Sequence, residues 1–224
     1  SKIKEEEIYG MSVTKPFKKS VIPFLDKLTH LAEKLQSVNT IYRENKKIVG
    51  HNTDIGGFEL SIKKINFDIK NKKILILGAG GATQGVLGAL LETNPASIHV
   101  WNRTHLKAEQ LVHQHDDARV AAMAADDLES HYDVVVHASA AGLQGQRVEV
   151  PARCIGPSTR AYDLSYSAEP TPFIHWATSS GAVACADGLG MLIEQAALAF
   201  EIWFGELPST IPIRQSEGLV IDNG

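Results

Sequence analysis

The stretch that decides the fold runs Lys72-Lys73-Ile74-Leu75-Ile76-Leu77-Gly78-Ala79-Gly80-Gly81-Ala82-Thr83-Gln84-Gly85. A run of branched apolar residues breaks into glycines and a second apolar run follows, which predicts a buried strand, a tight turn and a helix. This order is typical of a dinucleotide-binding unit, in which Gly78 and Gly80 let the backbone approach a pyrophosphate and Thr83 takes the small third position. Taken alone the pattern is weak, because glycine turns also join strands to helices for purely structural reasons.

The next apolar run strengthens this interpretation. Ser97-Ile98-His99-Val100-Trp101 follows at the separation expected of a βαβ unit, and it ends in Asn102-Arg103-Thr104. An NAD enzyme usually places an acidic residue here to bind the ribose hydroxyls. Arg103, helped by Lys107, can instead bind a 2′-phosphate. The sequence therefore predicts NADP rather than NAD.

Length and composition describe an ordinary globular chain. With 224 residues, 44% hydrophobic and 21% charged, it can bury one sizeable core or two modest ones. No apolar run reaches the length of a membrane span, and the beginning of the sequence lacks the apolar segment of a secretion signal. Two cysteines, Cys154 and Cys185, form neither a disulfide framework nor a CxxC site, which fits a cytoplasmic protein. The histidines are scattered, and no metal site is predicted.

Charge and composition change along the chain. Residues 1–73 are rich in lysine and carry a net positive charge, whereas the remainder is net negative and contains one lysine, Lys107. This change predicts a domain boundary. A basic nucleic-acid-binding face is the competing explanation, but the lysines lack interleaved aromatic residues, so no nucleic-acid partner is expected.

Two charged residues before the glycine loop occupy positions suited to chemistry. Lys18 follows a short extended run that Pro16 interrupts, and a helix is predicted over residues 21–35 from its apolar stripe. Asp54 lies where a predicted strand gives way to a helix. Structural alternatives remain for both, since Lys18 can be a solvated loop charge and Asp54 can be a helix N-cap.

Further strand patterns follow the nucleotide loop, and a helix closes the domain. The strands are predicted within residues 133–139, 160–166 and 183–188, and the helix begins near Leu189. Gln195 is a polar exception on the apolar face of this helix and can be a core-edge amide, while Glu194 and Glu201 lie off that face.

These elements predict an α/β fold, a doubly wound parallel sheet with a second, smaller domain. Residues 70–187 are predicted to form the NADP-binding domain. Residues 1–69 and 188–205 are predicted to form the substrate domain, and residues 206–224 a tail without an assigned role.

Six short motifs in order resemble the shikimate dehydrogenase family. They are Val13-Thr14-x-Pro16-x-Lys18, Val38-Asn39-Thr40, Asn52-Thr53-Asp54, Gly78-Ala79-Gly80-Gly81-Ala82, Asn102-Arg103-Thr104 and Asp187-Gly188-x-Gly190-Met191-Leu192. The resemblance implies an oxidoreductase that reduces 3-dehydroshikimate to shikimate with NADPH. One departure is His137, where the family usually has Asn.

The resemblance also implies roles for individual residues. Lys18 and Asp54 would be catalytic, since an ammonium can donate a proton to the substrate oxygen while a carboxylate keeps it charged and oriented. The substrate ring would contact Thr14, Asn39, Asp54 and Gln195, with Tyr166 beside it. Gly188 would border the nicotinamide. The other matching cofactor positions are Gly78, Ala79, Gly80, Gly81, Ala82, Asn102, Arg103, Thr104, Lys107 and Leu164.

Family members carry a further segment before the first motif, with a Ser-x-Ser pair that binds the substrate carboxylate. Ser1 stands only nine residues before Gly10, so a partial substrate domain is expected. Loss of those charge-assisted hydrogen bonds would weaken substrate binding. Two alternatives therefore remain, an NADP-binding module without catalysis and a quinate/shikimate relative. The expected partner is a small-molecule substrate, without membrane association, for a monomer or homodimer.

Overall fold

A computed structural model describes residues 8–139 and 150–219. The chain divides into two compact units, one formed by Ser1–Ile65 and Gly190–Gly224 and the other by Asn66–Leu189. Residues 220–224 of the predicted tail lie outside the described residues.

The unit formed by Asn66–Leu189 is built on a parallel sheet. Its described strands are β5 (Lys73–Leu77), β6 (Ser97–Trp101), β7 (Val120–Ala122), β8 (Val134–His137), β9 (Arg160–Asp163) and β10 (Ala184–Ala186), and its helices are α4 (Gly81–Glu92), α5 (His105–His115) and α6 (Pro172–Ser179). The strand order is β10-β9-β8-β5-β6-β7, and every pairing is parallel. The predicted α/β class and parallel sheet are confirmed.

Strand order in this sheet reverses direction at β5. The chain proceeds from β5 through β6 to β7 on one side, then returns to β8 on the other side of β5. Because parallel crossovers are right-handed, such a reversal puts helices on both faces of the sheet. The crevice beyond the carboxyl ends of β5 and β8 is therefore the topological switch point, where ligands of open α/β sheets bind.

The burial of the apolar residues in β5 explains why its sequence predicted a buried strand. Ile74, Leu75 and Ile76 are fully buried, as the near-continuous apolar run of a central parallel strand requires. Beyond β5, Gly78 has φ +121°, and its N–H donates to the Trp101 carbonyl at 2.8 Å. A Cβ on Gly78 would lie 3.0 Å from the Ser139 nitrogen, so only glycine fits this turn.

The other unit contains a mixed sheet in the order β1-β3-β4-β2. Its strands are β1 (Gly10–Ser12), β2 (Lys27–Leu28), β3 (Thr40–Glu44) and β4 (Lys47–His51), and its helices are α1 (Phe17–Ser20), α2 (His30–Leu35), α3 (Asp54–Lys64), α7 (Leu189–Phe204) and α8 (Ile211–Ser216). The strand β2 pairs parallel to β4, whereas β1 and β4 are antiparallel to β3. A small core of Ala32, Val38, Ile41 and Ile48 lies in this unit.

The helix predicted over residues 21–35 is wrong. A 3₁₀ turn spans Ile22–Phe24, then β2 pairs with β4, and only His30–Leu35 is helical. Asp26 explains the break, since its carboxylate accepts a hydrogen bond from the Ile48 N–H at 2.8 Å and fixes this segment to the sheet. A new helix then begins after Thr29, whose hydroxyl caps the Ala32 N–H.

Helices α3 and α7 approach closely. A Cβ on Gly57 would lie 2.8 Å from the Met191 carbonyl oxygen and 2.7 Å from the Gln195 Cβ. Because glycine permits this approach, the first turn of α3 and the middle of α7 present their side chains to one region of the unit.

Candidate active site

Lys18 lies in the short helix α1, after a turn that contains the cis Lys15–Pro16 peptide. The Phe17 N–H donates to the Thr14 carbonyl at 2.8 Å across this turn, and the Lys18 carbonyl accepts from the Val38 N–H at 2.8 Å. The lysine backbone is thereby held against the segment that leads into β3.

Asp54 is the first residue of α3 and the partner of Lys18. The Lys18 Nζ donates to Asp54 Oδ2 at 2.6 Å, and the two side chains are 24% and 21% exposed. Thr53, not Asp54, occupies the N-cap position, so the N-cap alternative for Asp54 is wrong. The alternative of a solvated loop charge for Lys18 is also wrong, because its ammonium is paired and only partly exposed.

Asn39 joins these groups through a buried amide with 4% exposure. Its Nδ2 lies 2.9 Å from Thr53 Oγ1, 2.9 Å from Asp54 Oδ1 and 3.1 Å from Gln195 Oε1. Its Oδ1 accepts from the Thr53 N–H at 2.8 Å. Since Asp54 also contacts Lys18, Asn39 fixes the carboxylate from the side opposite the ammonium.

Gln195 connects the final helix to this cluster. Its Oε1 accepts from Asn39, while its Nε2 donates to the Leu192 carbonyl of its own helix at 2.8 Å. Gln195 therefore makes the backbone contact expected of a core-edge amide, and it also contacts Asn39, one of the predicted substrate residues.

The remaining predicted substrate residues are placed differently. Thr14 is exposed and close in sequence to Val13, whose N–H donates to the Asn39 carbonyl at 2.7 Å, so its segment runs beside the cluster. Tyr166 belongs to the unit formed by Asn66–Leu189 and is 46% exposed.

This arrangement can perform acid–base chemistry on a small polar ligand. The ammonium of Lys18 is a proton donor that solvent reaches, and its hydrogen bond to Asp54 orients it. The neighbouring hydroxyl and amide groups can donate and accept, as a hydroxylated ligand requires.

The predicted cofactor motifs meet at the carboxyl edge of the parallel sheet. The Ala79 N–H donates to Asn102 Oδ1 at 3.2 Å, and the Asn102 Nδ2 donates to the Thr104 carbonyl at 2.8 Å. The Gly80 N–H donates to Thr83 Oγ1 at 3.2 Å. The side chain of Asn102 therefore ties the glycine loop to the loop after β6.

The residues at this edge fit a dinucleotide. Gly80 and Gly81 have open space where a Cβ would stand, so a phosphate can reach the start of α4. Arg103 and Lys107 are exposed beside it and can bind a further phosphate. Ala82 and Thr104 are also exposed.

Leu164 and Gly188 lie together in the same unit. A Cβ on Gly188 would lie 2.3 Å from the Leu164 carbonyl oxygen, and the Gly188 N–H donates to the Ser165 carbonyl at 3.0 Å. Next to Gly188, the pKa of the Asp187 carboxyl is raised, first by burial and then by the nearby charge of Asp163.

Two buried polar clusters were missed from the sequence. Ser139, His137 and Asp163 form a hydrogen-bonded chain at the ends of β8 and β9. The sequence indicated this cluster only through His137, a position where the family usually has Asn.

The second missed cluster surrounds Glu194, which is 1% exposed although it was expected off the buried face. Its carboxylate accepts from Arg214 Nη1 at 3.2 Å, Thr210 Oγ1 at 2.9 Å and Lys64 Nζ at 3.1 Å. Arg214 is fully buried, so the segment with α8 packs on α7 through this ion pair. No sequence periodicity reports such a contact, because its members come from three separate elements.

Across residues 8–139 and 150–219, no three His, Cys, Asp or Glu side chains gather as a metal site requires. Nor do those ranges contain a helix of the length and apolarity needed to cross a bilayer.

A parallel sheet with a glycine loop at its switch point places this chain in the class of dinucleotide-binding α/β proteins. The family described as shikimate/quinate 5-dehydrogenase matches residues 59–149. The shikimate dehydrogenase substrate-binding domain matches residues 1–41, and the C-terminal domain of the same enzymes matches residues 188–216. The chain belongs to the shikimate dehydrogenase family.

Individual relatives agree with this assignment. The chain is 42% identical to the NADP(+) shikimate dehydrogenase of Alcanivorax borkumensis, over 92% of this chain and 76% of that protein. Its fold is similar to the Ael1 enzyme from Pseudomonas putida, with a TM-score of 0.89, 32% identity and coverage of 100% and 82% of the two chains. It is also similar to shikimate 5-dehydrogenase from Thermus thermophilus in complex with NADP(H) and shikimate, with a TM-score of 0.82, 30% identity and coverage of 97% and 82%.

Proposed function

We propose that this protein is an NADP-dependent shikimate dehydrogenase, which reversibly reduces 3-dehydroshikimate to shikimate. The observation that carries the proposal is the Lys18–Asp54 pair, with 2.6 Å between Nζ and Oδ2, held by Asn39 and Gln195 in a chain of this family. Carbonyl reduction needs a hydride donor and a proton source, and this pair meets the second requirement.

Lys18 is the proposed general acid. NADPH, when bound, would supply the hydride, and the ammonium of Lys18 would stabilise the negative charge that develops on the carbonyl oxygen and transfer its proton there. Asp54 keeps Lys18 charged and oriented, because an adjacent carboxylate favours the ammonium form. In the reverse direction the neutral amine accepts the hydroxyl proton.

The substrate ring is proposed to contact Thr14, Asn39, Asp54 and Gln195, with Tyr166 beside it. Asn39 also donates to Asp54 Oδ1 and Gln195 Oε1, so it would fix the two oxygens that are proposed to face the substrate. Ring hydroxyls can donate to both oxygens.

The unit formed by Asn66–Leu189 is proposed to bind NADP. The glycine loop Gly78–Ala82 would hold the pyrophosphate at the start of α4, and Arg103 and Lys107 would bind the 2′-phosphate. Asn102 and Thr104 shape this loop, Gly188 would border the nicotinamide, and Leu164 would be a further cofactor contact. The other unit would bind the substrate.

We infer a cytoplasmic monomer or homodimer. Cys154 and Cys185 are both free, as a reducing compartment requires.

The test combines turnover with binding. Purified protein is assayed for NADP⁺ reduction with shikimate and with quinate, and NADPH binding is titrated in parallel. Turnover with shikimate that depends on Lys18 supports the proposal, and a preference for quinate moves the protein to the related activity. NADPH binding without turnover would instead identify a cofactor-binding module.

A further inference from the structure

His137 is the centre of a buried hydrogen-bonded chain that the proposed reaction does not use. Its Nδ1 lies 3.0 Å from Asp163 Oδ1, and its Nε2 lies 2.7 Å from Ser139 Oγ. His137 is 7% exposed, and Asp163 is fully buried. The chain therefore links a titratable imidazole, through its Nε2, to the hydroxyl of Ser139.

The imidazole is fixed from two sides. Asp163 is itself held, because its Oδ2 accepts from Thr171 Oγ1 at 2.6 Å and its Oδ1 accepts from the Ser165 N–H at 2.9 Å. The ring of His137 stacks on Phe173, with 4.9 Å between centroids and 15° between planes. A carboxylate can only accept, so Nδ1 carries a hydrogen, and Nε2 is the nitrogen whose protonation can change.

The chain ends at the place where a dinucleotide is expected. His137 is the last residue of β8 and pairs with Leu77 of β5 on one side and Asp163 of β9 on the other. The backbone of Ser139 lies against Gly78, with 3.0 Å between its nitrogen and a Cβ built on the glycine. Ser139 therefore stands at the switch point beside the glycine loop.

We propose that Ser139 contacts the bound dinucleotide and that the protonation of His137 sets which way its hydroxyl hydrogen points. This inference rests on the proposed NADP binding. With neutral His137, Nε2 accepts the Ser139 hydrogen, and Ser139 offers the cofactor only an acceptor oxygen. With charged His137, Nε2–H donates to Oγ, and the hydroxyl hydrogen is released to donate to an anionic oxygen of the cofactor.

Asp163 faces His137 from β9. Further from the ring, burial raises the pKa of the Asp187 carboxyl, and the charge of Asp163 adds to that increase. Phe173 on α6, which stacks on the ring, is uncharged, and so is Leu77, the β5 residue paired with His137 in the sheet. A positive ring with an outward hydroxyl donor suits an anion, so affinity for NADP⁺ should rise as pH falls through the titration of His137.

The experiment measures NADP⁺ affinity across neutral and mildly acidic pH for four proteins. These are the wild type, His137→Asn, Ser139→Ala and the control His175→Gln, which alters an exposed histidine on α6. The 2′-phosphate of NADP⁺ also titrates near pH 6. Because every protein sees the same ligand, the ratio of wild-type to variant affinity isolates the contribution of His137.

We expect the wild type and His175→Gln to gain about three- to tenfold over the other two variants at the acid end, the range of one improved hydrogen bond. By reciprocity, saturating NADP⁺ should move the His137 titration followed by NMR to higher pH by the same factor. Identical pH dependence in wild type, His137→Asn and Ser139→Ala would overturn the inference alone. Absence of NADP⁺ binding at every pH would overturn the proposed function. Ser139→Ala retains the buried ring and its carboxylate, so it tests the hydroxyl even where His137→Asn proves unstable.

Discussion

Removal of the ammonium of Lys18 is the most direct test of the active-site geometry. In Lys18→Ala the group that donates to Asp54 Oδ2 at 2.6 Å is lost. Lys18→Met keeps most of the length of the side chain and removes only the charge and the proton. Both variants should therefore lack the proton donor for the substrate oxygen.

The magnitude follows from what the group does in the transition state. General acid–base assistance contributes about 10²–10⁴-fold to rate, so kcat should fall by that factor, about 2.7–5.4 kcal/mol. KM should change little, because the substrate contacts proposed for Asn39, Asp54 and Gln195 would remain. Stability should also change little, since the pair is 24% and 21% exposed and such pairs contribute about 0–1 kcal/mol.

The assay is steady-state oxidation of shikimate with NADP⁺, accompanied by thermal unfolding of each variant. Lys19→Ala is the matched control, because Lys19 is the exposed neighbour on the same short helix. We expect it to retain wild-type kinetics. A fall in kcat together with a large fall in melting temperature would point to misfolding rather than to lost chemistry.

Asp54→Asn tests the partner of Lys18. It keeps the shape and the contact to Asn39 but removes the carboxylate that orients the ammonium of Lys18, so kcat should fall. The double variant should cost far less than the product of the two single effects if the residues act as one unit. Wild-type kcat in Lys18→Ala would refute the assignment of Lys18, and fully multiplicative effects would refute the coupling.

Three further predictions concern the cofactor, the substrate and the fold. Arg103→Ala should lose about 1.5–3 kcal/mol of NADPH affinity with little change for NADH, measured by fluorescence titration, and an equal loss for both would make the arginine structural. Gln195→Ala should raise KM for shikimate and barely alter the melting temperature, because alanine suits a helix; a large thermal shift at normal KM would contradict the substrate role. Glu194→Gln leaves the buried Arg214 without its carboxylate and should lower the free energy of unfolding by about 3–5 kcal/mol in denaturant titration, whereas the exposed Glu201→Gln should change it by less than about 0.5 kcal/mol.

The parallel sheet was predictable because its signals are local. Ile74, Leu75 and Ile76 form a continuous apolar run, which a strand buried on both faces requires. The start of helix α6 is determined just as locally, since Thr171 caps the Ile174 N–H and Pro172 occupies the first turn. Such elements carry their own start, stop and burial pattern.

The segment from residue 21 to residue 35 shows where local signals fail. Its apolar spacing fits a helix, but the Asp26 carboxylate binds the Ile48 N–H and Leu28 pairs with Gly50. Both partners lie 22 residues away in the chain. Periodicity describes which residues are apolar, and it cannot report that a long-range hydrogen bond holds the backbone in another conformation.

The same limit explains which parts of the site escaped prediction. Lys18, Asn39 and Asp54 were identified through motifs of a known family, and Gln195 through a polar exception on an apolar helix face. Glu194 stands next to Gln195, yet its neighbours in sequence carry no sign that Arg214 will meet it.

Burial of an ionisable side chain is favourable only when a partner satisfies it, so its position in the core is a property of the pair. Glu194 is buried because Arg214, Lys64 and Thr210 approach from two other elements. His137 is buried on the same principle, with Asp163 on the next strand. Glu194 was predicted off the buried face, and His137 was noted only as a departure from the family, because the partners that permit their burial come from other elements of the fold.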